Sequence, residues 1–112
     1  MSDSVDRYAV VLTTAGSEEQ SKTLADALVE RRLAACVNVV PRVLSVYRWK
    51  GEISRDEECL LVIKTSERLF PAVREAIREL HSYELPEILM LPIANADPGI
   101  LAWLRDSLGD PA

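Results

Sequence analysis

Ala35-Cys36-Val37-Asn38-Val39-Val40-Pro41-Arg42-Val43-Leu44-Ser45-Val46-Tyr47-Arg48-Trp49-Lys50 is one long run, rich in apolar and β-branched side chains, with a single proline inside it. That composition suits a pleated, half-buried backbone and reads as strand. Proline cannot donate to a ladder, so Pro41 marks a bulge or an edge position rather than a strand end. Lys50-Gly51-Glu52 supplies a turn, and Glu57 to Thr65 returns as the partner strand. A strand from Ala35 to Lys50 spans about 50 Å at ~3.3 Å per residue. A compact chain of 112 residues has a radius of gyration of only ~13 Å. One end of this hairpin must therefore project beyond its own domain.

Outward from the hairpin, helices and strands alternate. Tyr8 to Thr14 is a short β-branched strand. Ser17-Glu18-Glu19-Gln20 is a capping box, in which the serine hydroxyl takes the Gln20 N–H and the Gln20 amide reaches back. Leu24, Ala25, Leu28, Val29 and Leu33 then form an apolar stripe at helical spacing, closed by Arg31 and Arg32. A second helix is predicted from Glu67 to Leu80, with Pro71 in its first turn and Leu69, Val73, Ile77 and Leu80 facing the core. Glu87 to Ile93 reads as the fourth strand. Asp97-Pro98 starts a last helix, Ile100 to Leu108, stopped by Gly109.

The order β-α-β-β-α-β plus a terminal helix predicts an α+β, ferredoxin-like sandwich, one domain over residues 1–112, with 1–6 flexible. The strands are apolar on both faces: Val10 and Leu12 alternate with Ala9 and Val11, and Cys59, Leu61 and Ile63 with Leu60 and Val62. Helices cover only one face of such a sheet, so the other needs a partner, and an oligomer is the simplest cover.

Composition is ordinary for a globular domain, 48% hydrophobic and 28% charged. A net charge of −5, from 18 acidic and 13 basic residues, argues against nucleic acid as the main partner, because phosphate binding needs a basic surface. Met1 to Arg7 lacks the basic and apolar regions of a signal peptide, and no apolar run approaches the ~20 residues that span a bilayer. No membrane partner and a cytoplasmic location follow as expectations. Cys36 and Cys59 lack C-x-x-C spacing and read as reduced, separately buried thiols.

His81-Ser82-Tyr83-Glu84-Leu85-Pro86-Glu87-Ile88 places the only histidine, a tyrosine and two carboxylates at a helix-to-strand junction. Junctions of this kind carry function, because a rigid scaffold positions exposed groups there. His81 with Glu84 and Glu87 offers nitrogen and oxygen metal ligands, and Cys36 a soft one that favours copper. Buried packing is the plainer role for Cys36, and a dipole-stabilising role competes for His81. With one histidine per chain, a site must be loose or shared between copies. Lys64, His81, Tyr83 and Glu87 could instead converge as a general acid–base cluster, or close an intersubunit groove as a salt-bridged rim. Tyr47 and Trp49, at the hairpin tip, read as a ligand lid or as interface anchors.

Five stretches carry a resemblance: Ala34 to Asn38, Tyr47 to Glu52, Ile63 to Thr65, His81 to Ile88, and Leu101 to Leu104. Together they are similar to the divalent-cation tolerance (CutA) family, nearly end to end from Val10 to Leu108. The resemblance implies a ferredoxin-like protomer, a tightly packed homotrimer, and an association with copper and other divalent cations. The family's copper site, as the resemblance implies it, uses a cysteine at the end of strand one and adjacent histidines before the Tyr-x-x-Pro-Glu segment. Thr13 and Leu80 stand at two of those positions, and Ser82 replaces the usual proline, so only His81 carries over. The function expected is a trimeric metal-binding or signalling module of divalent-cation tolerance rather than a catalyst. A small-molecule or nucleotide sensor with ligands in intersubunit clefts, among them a pocket of Tyr47, Trp49, Lys64 and Tyr83, stands as the alternative, and acid–base catalysis as the third reading.

Overall fold

The computed structural model describes residues 7–109; the segment expected to be flexible, 1–6, lies outside them. Seven elements follow in the order β1 (Tyr8–Ala15), α1 (Glu18–Glu30), β2 (Cys36–Trp49), β3 (Glu52–Ser66), α2 (Phe70–Leu80), β4 (Leu89–Pro92) and α3 (Pro98–Ser107). The strands form one antiparallel sheet in the order β2-β3-β1-β4, the ferredoxin-like arrangement with an added C-terminal helix. No helix among the described residues is long and apolar enough to cross a membrane.

Local chemistry accounts for the element ends. Ser17 caps α1 by accepting the Gln20 N–H at 3.1 Å. The expected reciprocal bond does not form. The Gln20 side chain turns away to donate to the Leu80 carbonyl and to accept the Ser82 N–H at 2.8 Å, which ties the start of α1 to the end of α2. Asp97 caps α3 through the Gly99 N–H, and Gly109, at φ +74, ends it. Lys50 and Gly51 both take positive φ, 51° and 83°, the two-residue turn whose twist matches the flanking strands.

Leu24 and Leu28 of α1 and Val73, Ala76 and Ile77 of α2 pack on one sheet face, against Val11, Ala15, Leu61 and Ile63. Val29, expected in this stripe, is exposed; it sits one position around the helix from Leu28 and misses the sheet. On the opposite face, Leu89, Leu91 and Val40 remain 49%, 47% and 43% exposed, and Val10, Leu12, Leu60 and Val62 are only half-buried. The apolar second face that the strands announce is present and open in the protomer.

β3 begins at Glu52, not Glu57, because the charged stretch Glu52 to Glu58 pairs residue for residue with β2. β1 pairs with β3 only from Cys59 to Ser66, so the outer halves of β2 and β3 form a free two-stranded ribbon. It lengthens the molecule to 50 × 25 × 22 Å, with a radius of gyration of 15.0 Å. β4 is shorter than the expected Glu87–Ile93, since the 81–88 segment is drawn toward β1 by side-chain bonds. α2 likewise starts at Phe70 rather than Glu67, with Ser66 holding the Leu69 N–H in a preceding turn.

The register jumps at Pro41. Val40 faces Leu60, but Val43 faces Glu58, so β2 carries one extra residue there. Arg42 adopts φ 62° to accommodate it. The bulge absorbs the extra residue, and the pairing beyond it runs one for one from Val43–Glu58 to Trp49–Glu52. Tyr47 and Trp49 therefore share a face with Asp56 and Glu58, while Leu44 and Val46 point the other way with Ile53.

Candidate functional site

The ribbon's polar face and the 81–88 segment enclose a cleft of about 810 Å³. Tyr47, Trp49, Asp56 and Glu58 line it from the ribbon, Thr14 from the end of β1, and Tyr83, Glu84 and Glu87 from the segment after α2.

His81 organises that segment without entering the cleft wall. Its Nδ1 accepts the Tyr83 N–H at 3.1 Å, and its Nε2 lies 2.7 Å from the Thr14 carbonyl oxygen. An amide N–H can only donate and a carbonyl can only accept, so the ring is the neutral tautomer protonated at Nε2. Both nitrogens are committed. The ring also packs against Tyr83, with centroids 4.6 Å apart. Tyr83 is thereby held over Gly16, where an added Cβ would come within 3.1 Å of the phenol oxygen.

From there the Tyr83 hydroxyl donates to Glu58 at 2.6 Å, and Glu58 is only 8% exposed. A second phenol–carboxylate pair, Tyr47 with Asp56, stands beside it. Burial, then the bond to Glu58, raises the Tyr83 pKa well above the ordinary tyrosine value. The bond to Asp56 raises that of Tyr47. Both phenols are donors locked onto carboxylates at neutral pH, and neither is a ready base.

The residues singled out from the sequence divide into two groups. Tyr47, Trp49, Tyr83, Glu84 and Glu87 meet at the cleft, with His81 directly behind them. Lys64 and Cys36 do not join them. They pair with each other across β3 and β2, and Lys64 lies opposite Val10, four positions along β1 from Thr14. Lys64 donates instead to the Asn38 side chain at 2.6 Å. Cys36, expected deep in a strand, is the first residue of β2 and only half-buried, its thiol 3.7 Å from Asn38 Oδ1; Cys59 is the buried thiol. The four-residue acid–base cluster therefore does not assemble within the protomer.

Glu58 and Asp56 were not singled out from the sequence. They lie in a charged strand without any motif, and only the register across β2 puts them under the two tyrosines. Among the described residues, no three His, Cys, Asp or Glu side chains stand together in a way that could hold a metal ion.

A family model described as CutA1 divalent ion tolerance protein matches residues 9–107. The chain belongs to the CutA1 family. It is 52% identical over 100 residues to the divalent-cation tolerance protein CutA of Thermus thermophilus, covering 89% of this chain and 97% of that one. The solved structure of the divalent cation tolerance protein (Cut A1) from Thermus thermophilus superposes with a TM-score of 0.87, covering 89% of this chain and 97% of that chain at 51% identity. The mouse protein CutA is 43% identical over 87% of this chain, which spans 55% of the mouse protein. Membership accounts for the sandwich, the long hairpin and the third helix together.

Proposed function

We propose that this protein serves divalent-cation tolerance as a cytoplasmic homotrimer that binds or signals rather than transforms a substrate. The observation that carries this reading is the apolar surface left open on the sheet and ribbon. Leu44, Val46 and Ile53 on the ribbon are 69%, 56% and 55% exposed, and Leu89 and Leu91 at the far edge of the sheet are 49% and 47% exposed. Exposed apolar area on this scale marks an association surface. A projecting ribbon that docks on a different surface of the next copy makes a heterologous contact, and such contacts form a ring where the rotation between copies closes. The CutA resemblance implies three copies in the ring. Two free thiols suit a reducing compartment.

A non-catalytic role is supported by the locked groups. His81 spends both nitrogens on the backbone, the two phenols are bonded to carboxylates, and Lys64 is engaged elsewhere. Divalent cations, Cu(II) ahead of zinc, would associate weakly through His81 with Glu84 or Glu87, because the ring must give up one hydrogen bond to ligate. A nucleotide is disfavoured in the cleft, whose lining includes Asp56, Glu58, Glu84 and Glu87 but neither lysine nor arginine. Light scattering and copper calorimetry test the reading together. A three-protomer mass, with copper binding abolished in His81→Ala, is the expected result. A soluble folded monomer at micromolar concentration refutes the assembly, and unchanged copper affinity in His81→Ala refutes the cation site.

A further inference from the structure

We propose that the cleft between the ribbon and the 81–88 segment is a binding site for small organic amines, with Trp49 and Glu84 taking an ammonium group whose place Lys50 now fills. The proposal rests on the reading of the protein as a binding module and names the ligand class of its cleft.

Three observations converge on that class. First, the lining pairs aromatic faces with anions: Trp49, Tyr47 and Tyr83 alongside Asp56, Glu58, Glu84 and Glu87. Aromatic rings attract cations through their negative faces, and carboxylates beside them add direct charge attraction. Second, the protein sets an ammonium of its own at the rim of that lining. The Lys50 Nζ lies over the Trp49 ring, 5.6 Å from its centroid, and 4.0 Å from Glu84 Oε1. Lys50 is the first residue of the hairpin turn, and its side chain is 71% exposed, so it is held by little else. An exposed ion pair of this kind contributes little and gives way easily. Third, the cleft offers an inorganic ion only the weak, open association proposed above. No three ligating side chains of the described residues come together, whereas a volume of about 810 Å³ lies in the range of small-molecule sites.

The polar geometry says how such a ligand would be oriented. Asp56 and Glu58 line the cleft from the ribbon side, each accepting from one tyrosine, Tyr47 and Tyr83, and each carboxylate has further acceptor capacity. Glu84 and Glu87 face it from the opposite wall. A flexible chain with an ammonium at each end, a diamine, can satisfy both walls at once.

Putrescine is the probe, titrated calorimetrically into the full chain at near-physiological salt. Saturable binding is expected. Trp49→Leu or Glu84→Gln should weaken it by about threefold or more, the scale of an exposed cation–π or charge contact. Lys50→Asn is the diagnostic variant. It removes the resident ammonium, and asparagine accepts the positive φ of that position, so the fold is spared and affinity should rise. No saturable heat overturns the proposal. So does an affinity in Lys50→Asn equal to or below that of the parent chain, or a loss in Glu84→Gln matched by the remote surface variant Glu30→Gln. Full competition by millimolar magnesium also overturns it, marking an ion site instead. Light scattering on the same samples separates the two readings. A trimer that takes no putrescine refutes the amine site alone, and a monomer refutes the assembly whatever the heats show.

Discussion

Replacing Tyr83 with phenylalanine removes one hydroxyl and keeps the ring against His81. The lost bond runs 2.6 Å to Glu58 Oε2, and the acceptor is a carboxylate only 8% exposed. Hydrogen bonds to charged groups contribute about 1.5–3 kcal/mol, and a buried acceptor left without its donor keeps the whole desolvation cost. The cleft gives water a route to the other side of Glu58, which places the expected loss in the lower half, about 1.5–2 kcal/mol. At roughly 4–8 °C per kcal/mol for a domain of this size, the melting temperature should fall by roughly 6–16 °C. Urea unfolding of Tyr83→Phe, Glu58→Gln and the double variant measures the coupling, with protomer concentration held fixed because association and folding are linked. The coupling should be about 1 kcal/mol or more, with an unchanged denaturant slope. A cost below about 0.5 kcal/mol in Tyr83→Phe, or simple additivity in the cycle, would show that the phenol and carboxylate do not hold the segment in place.

Three other outcomes follow from the same structure. Because Tyr83 and Tyr47 have raised pKa values in the fold, their contribution is fully present below the ordinary tyrosine pKa of ~10 and is lost as pH rises through the folded values. Melting temperature should be flat from about pH 8 to 9.5 and fall above pH ~10, less steeply in Tyr47→Phe/Tyr83→Phe; identical alkaline slopes would contradict this. Leu61→Ala, at a fully buried position between the helices and β1, should cost about 2–5 kcal/mol by equilibrium unfolding, whereas Gly51→Ala, with open space around it but φ +83, should cost only about 1–2 kcal/mol. The melting temperature should fall on hundredfold dilution, since burying the open face couples folding to association; a constant value would count against that coupling.

How far the sequence could be read depends on whether a feature is local. The Ser17 and Asp97 caps, the Lys50-Gly51 turn and the break at Pro41 are each set by a few adjacent residues, and each appears where its chemistry predicts. The Gln20 amide fails that test because it has a better partner at the end of α2, sixty residues away, which no local pattern could reveal. The ribbon half of β3 fails for a similar reason. Glu52 to Glu58 is polar enough to resemble a loop, and only pairing with β2 makes it strand. Of the site, His81, Tyr83, Glu84 and Glu87 were legible because they lie within seven residues, and Tyr47 and Trp49 because they are large aromatics on a hairpin. Asp56 and Glu58 depend on a register across two strands, counted from the Lys50-Gly51 turn. Lys64 was misplaced because the sequence shows that it ends a strand but not which way that strand's end points relative to α2.

The extra residue at the bulge separates two stretches of regular pairing that are fixed from opposite ends. The inner stretch, up to Val40–Leu60, is held by the core, and the outer one, from Val43–Glu58 to Trp49–Glu52, runs unbroken to the Lys50-Gly51 turn. Removing Arg42 would let Pro41 stand opposite Cys59 and Val43 keep its place opposite Glu58, so Tyr47 and Trp49 would stay on the cleft side. The bulge is thus a slack point where the hairpin absorbs a change in length without turning the aromatic wall over. Beyond Val43 no such slack exists, and one unmatched residue between there and the turn must open a new bulge inside the site.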